Sequence, residues 1–124
     1  MVRIVFVALL ANLVAPLAAF SLLGDVRPIV APSVAKANFM NLGKDLQSCR
    51  DAGCEWFHFS VQDGQMVPKI SFGTPVVSSV RNSFPSTVFD VKLGVIEPEH
   101  RIQDFAKAGA DIISVHPEGT LQLG

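Results

Sequence analysis

The sequence predicts an α/β fold in which the strands of a parallel sheet alternate with helices. Two observations predict it: short apolar runs bounded by turn residues recur along the chain, and segments with helical periodicity separate them. The resulting order, β-α-β-α-β-α-β, implies right-handed crossovers between parallel strands. The chain has 124 residues, of which 49% are hydrophobic, and this suffices for one core. Its net charge of −1, without a basic block, argues against nucleic acid as a partner.

The first twenty residues differ from this pattern. One positive charge precedes an apolar run that ends at the Ala19-Phe20 junction, which is the layout of a secretory signal peptide. A signal anchor is the alternative, although the run is shorter than the ~20 residues that span a bilayer. The junction also resembles that of signals leading through the ER to complex plastids. We expect residues 1–20 to direct secretory entry, residues 21–28 to be a short linker, and residues 29–124 to form the domain.

The domain begins with a predicted β-α-β unit. Its first strand is predicted at Ile29–Ser33, an apolar run that ends on a polar residue. The first helix is predicted at Asn41–Ala52, because apolar residues recur there at helical spacing, Asn41 can cap its start and Gly53 follows its end. The second strand is predicted at Glu55–Val61, where apolar and polar residues alternate.

The later elements repeat this order. Thr74-Pro75 opens the second helix, as a cap followed by a proline in the first turn, and the helix extends to about Phe84. A third strand at Thr87–Leu93, a third helix between Pro98 and Gly109, and a fourth strand at Asp111–His116 complete the pattern.

Two architectures contain such alternation, a doubly wound sheet and a (β/α)8 TIM barrel. A doubly wound nucleotide-binding sheet needs a glycine-rich turn after its first strand, and the turn APSVAKANF contains no glycine. The barrel is therefore favoured. A whole barrel has eight units and about 250 residues. We predict a partial TIM barrel of four strands and three helices, whose open sheet edges favour self-association or docking on another barrel.

The two cysteines, Cys49 and Cys54, could form a disulfide in an oxidising compartment. Cys49 falls on the first helix and Cys54 opens the second strand. We therefore expect both to be small, buried, unpaired side chains.

Active sites of such barrels lie at the carboxyl ends of the strands. The polar residues at these ends include Ser33, His58, Ser60 and Lys92. Ser33 can bind a substrate hydroxyl or cap the next turn, and His58 can be a metal ligand, a proton carrier or a hydrogen-bonded part of the scaffold. The hydroxyl of Ser60 is a poor base unless another group activates it.

Lys92 is unusual because it interrupts an apolar strand. It shares a face with Asp90, and inside a barrel its ammonium would need Asp90 or Asp63 as a partner, or a lowered pKa. A Schiff-base lysine is the alternative. Asp63 lies in the Asp63-Gly64 turn, where turn chemistry alone explains an aspartate.

From about Ile29 to Glu118 the chain resembles the ribulose-phosphate 3-epimerase family. The matching blocks are IVAPSVAKANFMNLG, FHFSVQDGQMVPKISFGTPVV and DFAKAGADIISVHPE. The resemblance implies a (β/α)8 barrel that converts D-ribulose 5-phosphate to D-xylulose 5-phosphate in the pentose phosphate and Calvin pathways. It also implies paired aspartates for the proton transfer and a divalent metal such as Zn, Fe or Mn.

The resemblance assigns roles to four residues of this chain. Ser33 matches a serine that contacts substrate, and His58 matches the first metal ligand. Ser60 stands where the family has an aspartate that is both base and metal ligand, and Lys92 stands where it has a second metal histidine. Gln62 and Gly94 replace two methionines.

We therefore expect no epimerase activity, no resident cofactor and at most weak sugar-phosphate binding from the isolated chain. Three alternatives remain: two copies that form an active barrel, a non-catalytic partner of an intact barrel protein, and a gene fragment without a function of its own.

Overall fold

The computed structural model describes residues 28–120, so the predicted signal segment and most of the predicted linker lie outside the described residues. The described chain forms one three-stranded parallel sheet of order β1-β2-β3, flanked by three helices. The strands are β1 (Trp56–Gln62), β2 (Val88–Gly94) and β3 (Ile112–Val115), and the helices are α1 (Leu42–Asp51), α2 (Thr74–Ser83) and α3 (Glu99–Lys107). Within the described range, none of the helices has the length and apolarity needed to cross a bilayer.

The alternation of parallel strands and helices confirms the predicted α/β fold and fits part of a TIM barrel. The prediction of a first strand at Ile29–Ser33 was wrong. That segment contributes only a parallel bridge between Ser33 and His58, with the His58 amide donating to the Pro32 carbonyl at 2.9 Å. Pro32 has no amide hydrogen, so it cannot donate to a ladder at this position.

The helix ends agree with the predictions to within a residue or two. Gly53 follows α1 with a φ of +94°, a conformation that glycine adopts without a steric penalty. Asn41 occupies the N-cap position of α1, but its side chain makes no capping hydrogen bond. Gly73, not Thr74, is the N-cap of α2, with the proline in the first turn as predicted.

The core lies between the sheet and the helices. The odd-numbered residues of β1 and β2 point towards the helices and are buried, and Phe59 packs against Phe89 with tilted rings whose centroids are 4.7 Å apart. The helices contribute Leu46, Val77 and Phe105 to the same core. Because successive strand residues alternate between faces, the even-numbered residues form the opposite face of the sheet, which in a barrel is the interior.

Both cysteines are free, as predicted, and both are half-buried. Burial raises the pKa of the Cys49 thiol, with further contributions from Cys54 and Asp45. Cys49 packs against the core, so its environment is that of a small apolar side chain.

Candidate functional site

The candidate site lies on the polar face of the sheet, where β1 and β2 run side by side. The register pairs His58 with Asp90 and Ser60 with Lys92, and the bridge to β1 places Ser33 beside His58. The structure thus brings together all four residues that the sequence singled out. It adds Asp90, which the sequence offered as one possible partner of Lys92.

His58 is held from both sides. Its Nδ1 lies 2.7 Å from Asp90 Oδ2, and its Nε2 lies 2.9 Å from Ser60 Oγ. A carboxylate can only accept hydrogen bonds, so in the neutral imidazole Nδ1 carries the hydrogen and Nε2 accepts. The Ser60 hydroxyl then donates to Nε2, and the three side chains form one directed chain of hydrogen bonds. The His58 and Asp90 side chains are only 21% and 15% exposed.

Lys92 does not have the partner that its position predicted. Its side chain is exposed, and among the described residues the basic side chains within ion-pairing distance of a carboxylate are His58 with Asp90, Arg81 with Asp111, and His116 with Glu118. Neither Asp90 nor Asp63, the two carboxylates considered as partners, forms an ion pair with Lys92. The cause is the register, which places Asp90 against the imidazole of His58.

Asp63 binds backbone amides. Its Oδ2 accepts from the Ile96 amide at 2.8 Å, and its Oδ1 accepts from the Gln65 and Met66 amides at 2.8 and 3.0 Å. These bonds, with the one from Ile96 the strongest, lower the pKa of the carboxyl. Asp63 therefore joins the loop after β1 to the loop after β2, which confirms its turn role and adds a contact between loops.

A cleft of about 430 Å³ opens beside β1. Ser33 and Ser60 line it together with Lys36 and Lys69, two residues that sequence reasoning missed. No aspartate or glutamate is among the described residues that line it. A single lysine outside the long helices and strands carries no periodic signal, so only the folded segments after Ser33 and Asp63 reveal that two lysines line one cavity.

The side chains of this site do not fit a divalent metal ion. Among residues 28–120, no group of three or more His, Cys, Asp or Glu side chains could hold one. Both ring nitrogens of His58 are engaged by Asp90 and Ser60, and Lys92 brings a cation to the neighbouring position. Divalent metals in proteins take imidazole, thiolate or carboxylate ligands, whereas an ammonium has no lone pair to offer.

Comparison with known proteins agrees with the sequence blocks. The family model "Ribulose-phosphate 3 epimerase family" matches residues 29–123. Ribulose-phosphate 3-epimerase of Synechocystis sp. is 47% identical over 90 residues, 73% of this chain and 39% of that protein. Chloroplastic ribulose-5-phosphate-3-epimerase of Arabidopsis thaliana is 48% identical over 90 residues, 73% of this chain and 32% of that protein. Ribulose-phosphate 3-epimerase of Bacillus subtilis is 43% identical over 94 residues, 76% of this chain and 43% of that protein.

These matches span between 32% and 43% of the length of the three relatives. The family model covers nearly all of the described residues and ends within the last residues of the chain. Fold, sequence blocks and relatives all agree, and the chain belongs to the ribulose-phosphate 3-epimerase family.

Proposed function

We propose that this chain does not itself catalyse the interconversion of D-ribulose 5-phosphate and D-xylulose 5-phosphate. The observation that carries the proposal is Ser60, whose hydroxyl oxygen lies 2.9 Å from His58 Nε2 where the family pattern calls for a catalytic aspartate. A serine hydroxyl cannot replace a carboxylate with a reference pKa of ~3.9 as the base. Loss of a general base alone lowers a rate by about 10²–10⁴.

The absence of a resident divalent metal is the second part of this proposal. Of the ligand positions implied by the family, His58 keeps its ligand type, whereas Ser60 and Lys92 do not. Two like unit charges about 4 Å apart repel by ~4 kcal/mol even at an effective dielectric of 20, and a divalent ion beside the Lys92 ammonium would be repelled more. We expect no stoichiometric zinc, iron or manganese in the purified protein.

We also infer weak affinity for sugar phosphates at the cleft beside β1. Ser33, which matches a substrate-contacting serine of the family, lies there with Lys36 and Lys69. Ammonium groups bind phosphate as point charges, and exposed ones are screened by salt. Binding of ribulose 5-phosphate should therefore weaken as the salt concentration rises.

Two measurements test the proposal. In an epimerase assay with D-ribulose 5-phosphate and added Zn²⁺, Fe²⁺ or Mn²⁺, the purified chain should give no turnover above a protein-free blank. In a zinc titration followed by calorimetry, the double variant Ser60→Asp/Lys92→His should gain at least tenfold in affinity over the natural chain, because it restores two ligand types beside His58. Lys107→His, at the exposed end of α3, is the matched control and should gain nothing.

Turnover by the natural chain, or one equivalent of metal bound to it, would refute the proposal. A double variant that folds but binds zinc no better than the natural chain would show that the three side chains do not converge as the register implies.

A further inference from the structure

The hydrogen-bonded chain Ser60–His58–Asp90 has a chemistry that the family's proton transfer does not use. A nucleophilic serine needs a base within about 2.6–3.2 Å of its oxygen and a third group that orients the base. Here Ser60 Oγ lies 2.9 Å from His58 Nε2, and Asp90 Oδ2 lies 2.7 Å from His58 Nδ1. Both distances and both ring nitrogens match the arrangement of a serine hydrolase, which is recognised by geometry and not by chain order.

The way the strands hold these groups makes the arrangement rigid. His58 and Ser60 are two residues apart on β1 and so face the same way, and Asp90 is the register partner of His58 on β2. The buried residues Phe57, Phe59 and Phe89 fix both strands from the other face. Side chains mounted on packed strands hold their geometry better than those on loops.

The surroundings of Ser60 allow a substrate to reach it. Ser60 lines the cleft of about 430 Å³, within the range of small-molecule sites. Lys36 and Lys69 line the same cleft, and Lys92 is the register partner of Ser60. These cations favour a substrate with an anionic group.

We propose that Ser60 is an acylatable nucleophile and that the chain cleaves acyl esters carrying an anionic group. Ser60 Oγ bonds to the acyl carbon and the bond from that carbon to the leaving alkoxide breaks. The hydroxyl proton passes to His58 Nε2 and then to the leaving oxygen, which departs as an alcohol. Water hydrolyses the acyl-serine by the same route and releases a carboxylic acid. Asp90 is the positioning residue, since it acts through His58. This inference does not depend on the proposed loss of epimerase activity.

The first test is covalent labelling of the full chain by phenylmethanesulfonyl fluoride in the presence of EDTA. The serine oxygen displaces fluoride from sulfur, so intact-mass analysis should show one added sulfonyl group, and peptide mapping should place it on Ser60. This test uses the natural chain, so it does not depend on the folding of any variant. Absence of the label, or its location on a lysine or another serine, overturns the proposal.

The second test is the hydrolysis of 4-acetoxy-3-nitrobenzoate, an anionic ester whose carboxylate cannot reach its own ester carbonyl, compared with 4-nitrophenyl acetate, each rate being corrected for hydrolysis in protein-free buffer. Ser60→Ala should lower the rate at least 10²-fold, and Asp90→Asn should lower the rate of Ser60 labelling about 10²–10⁴-fold while circular dichroism stays unchanged. Ser79→Ala is the matched control, because its hydroxyl only bonds the Pro75 carbonyl within α2. The anionic ester should react faster than the acetate at low salt.

Two results of the second test contradict the mechanism. If Ser60→Ala hydrolyses the ester as fast as the natural chain, the reaction does not use Ser60. If Asp90→Asn leaves the labelling rate unchanged, the hydrogen bond to His58 Nδ1 does not position the base.

Discussion

Replacing Arg81 by alanine should lower the free energy of unfolding by about 3–5 kcal/mol, because it removes a mostly buried guanidinium that donates several hydrogen bonds to backbone carbonyls. Arg81, on α2, is 19% exposed and ties together three parts of the fold. Its Nη2 and Nε donate to the Gly109 carbonyl at 2.6 and 3.0 Å, its Nη1 donates to the Thr87 carbonyl at 2.7 Å, and Nη2 contacts Asp111 Oδ2 at 2.6 Å. The guanidinium carbon also lies 3.6 Å from the centre of the Phe89 ring.

The magnitude follows from these contacts. Hydrogen bonds that involve a charged group contribute about 1.5–3 kcal/mol each, but bonds from one side chain are not additive. Alanine would leave the carbonyls of Gly109 and Thr87 without their donor, and fixing an arginine costs ~2 kcal/mol of rotamer entropy that the variant recovers. A net loss of 3–5 kcal/mol is a large part of the 5–15 kcal/mol that stabilises a typical domain.

Equilibrium unfolding in urea measures this loss. The chain has one tryptophan, Trp56, which is 7% exposed at the start of β1, so its fluorescence reports on unfolding of the sheet. Arg81→Lys keeps the charge but cannot reproduce the planar fork, and should cost roughly half as much as alanine. Arg101→Ala, on the exposed face of α3, is the matched control and should change stability by less than ~0.5 kcal/mol.

Asp111→Asn measures what the ion pair with Arg81 contributes to stability, apart from the hydrogen bonds that Arg81 donates to backbone carbonyls. The Asp111 side chain is 50% exposed, and exposed ion pairs contribute about 0–1 kcal/mol. Asparagine keeps an oxygen that can accept from the Phe89 amide, now bonded at 2.7 Å. The substitution should therefore cost under ~1 kcal/mol. If Arg81→Ala costs no more than Asp111→Asn, the carbonyl bonds contribute little and the reasoning fails.

Three further predictions concern single positions. Because folding lowers the pKa of Asp63, its carboxylate stabilises the fold at pH values above the unfolded pKa of ~3.9, and this stabilisation is lost as the pH falls through the folded pKa. Asp63→Asn should therefore flatten the acidic part of a curve of unfolding free energy against pH, measured by urea unfolding. Thr87 is 2% exposed and its Oγ1 has no hydrogen-bond partner among the described residues, so Thr87→Val should raise the free energy of unfolding by ~1 kcal/mol and with it the urea midpoint. A lower midpoint would show that the hydroxyl has a hydrogen-bond partner in solution. Gly109 has a φ of +107°, and a Cβ added there would lie 2.7 Å from Arg81 Cγ, so Gly109→Ala should lower the free energy of unfolding by more than ~1 kcal/mol. The loss should be smaller in an Arg81→Ala background, and equal losses in the two backgrounds would exclude this clash.

The order of the elements could be predicted from the sequence because each signal is local. Alternation in Glu55–Val61, the glycine after the first helix and the proline at the start of the second lie within a few residues of what they specify. The error at Ile29–Ser33 shows the limit of composition. The segment is apolar enough for a strand, but Pro32 has no amide hydrogen to donate to a neighbouring strand. The segment therefore makes only one bridge to β1.

The sequence predicted which side chains share a face of the sheet but not which of them are neighbours, because periodicity within a strand does not determine the register between strands. Alternation placed His58 and Ser60 on one face of their strand, and Asp90 and Lys92 on one face of the next. Which residue of β1 lies beside Asp90 depends on the chain between the strands, including α2, and a shift by two residues would keep every side chain on its face. The observed register sets Asp90 against His58 and Lys92 against Ser60.

This register decides the chemistry of the site. With the shift that would place Asp90 beside Ser60, the carboxylate would accept from the hydroxyl, and His58 would lose the group that orients it. In the observed register Asp90 orients the imidazole, the imidazole accepts from Ser60, and Lys92 lies next to the serine. A Ser60→Asp variant would then place a second carboxylate at His58, opposite Asp90. The substitution that restores the family's ligand type therefore also removes the hydroxyl on which acyl transfer depends, so zinc affinity and serine labelling should change in opposite directions in that variant.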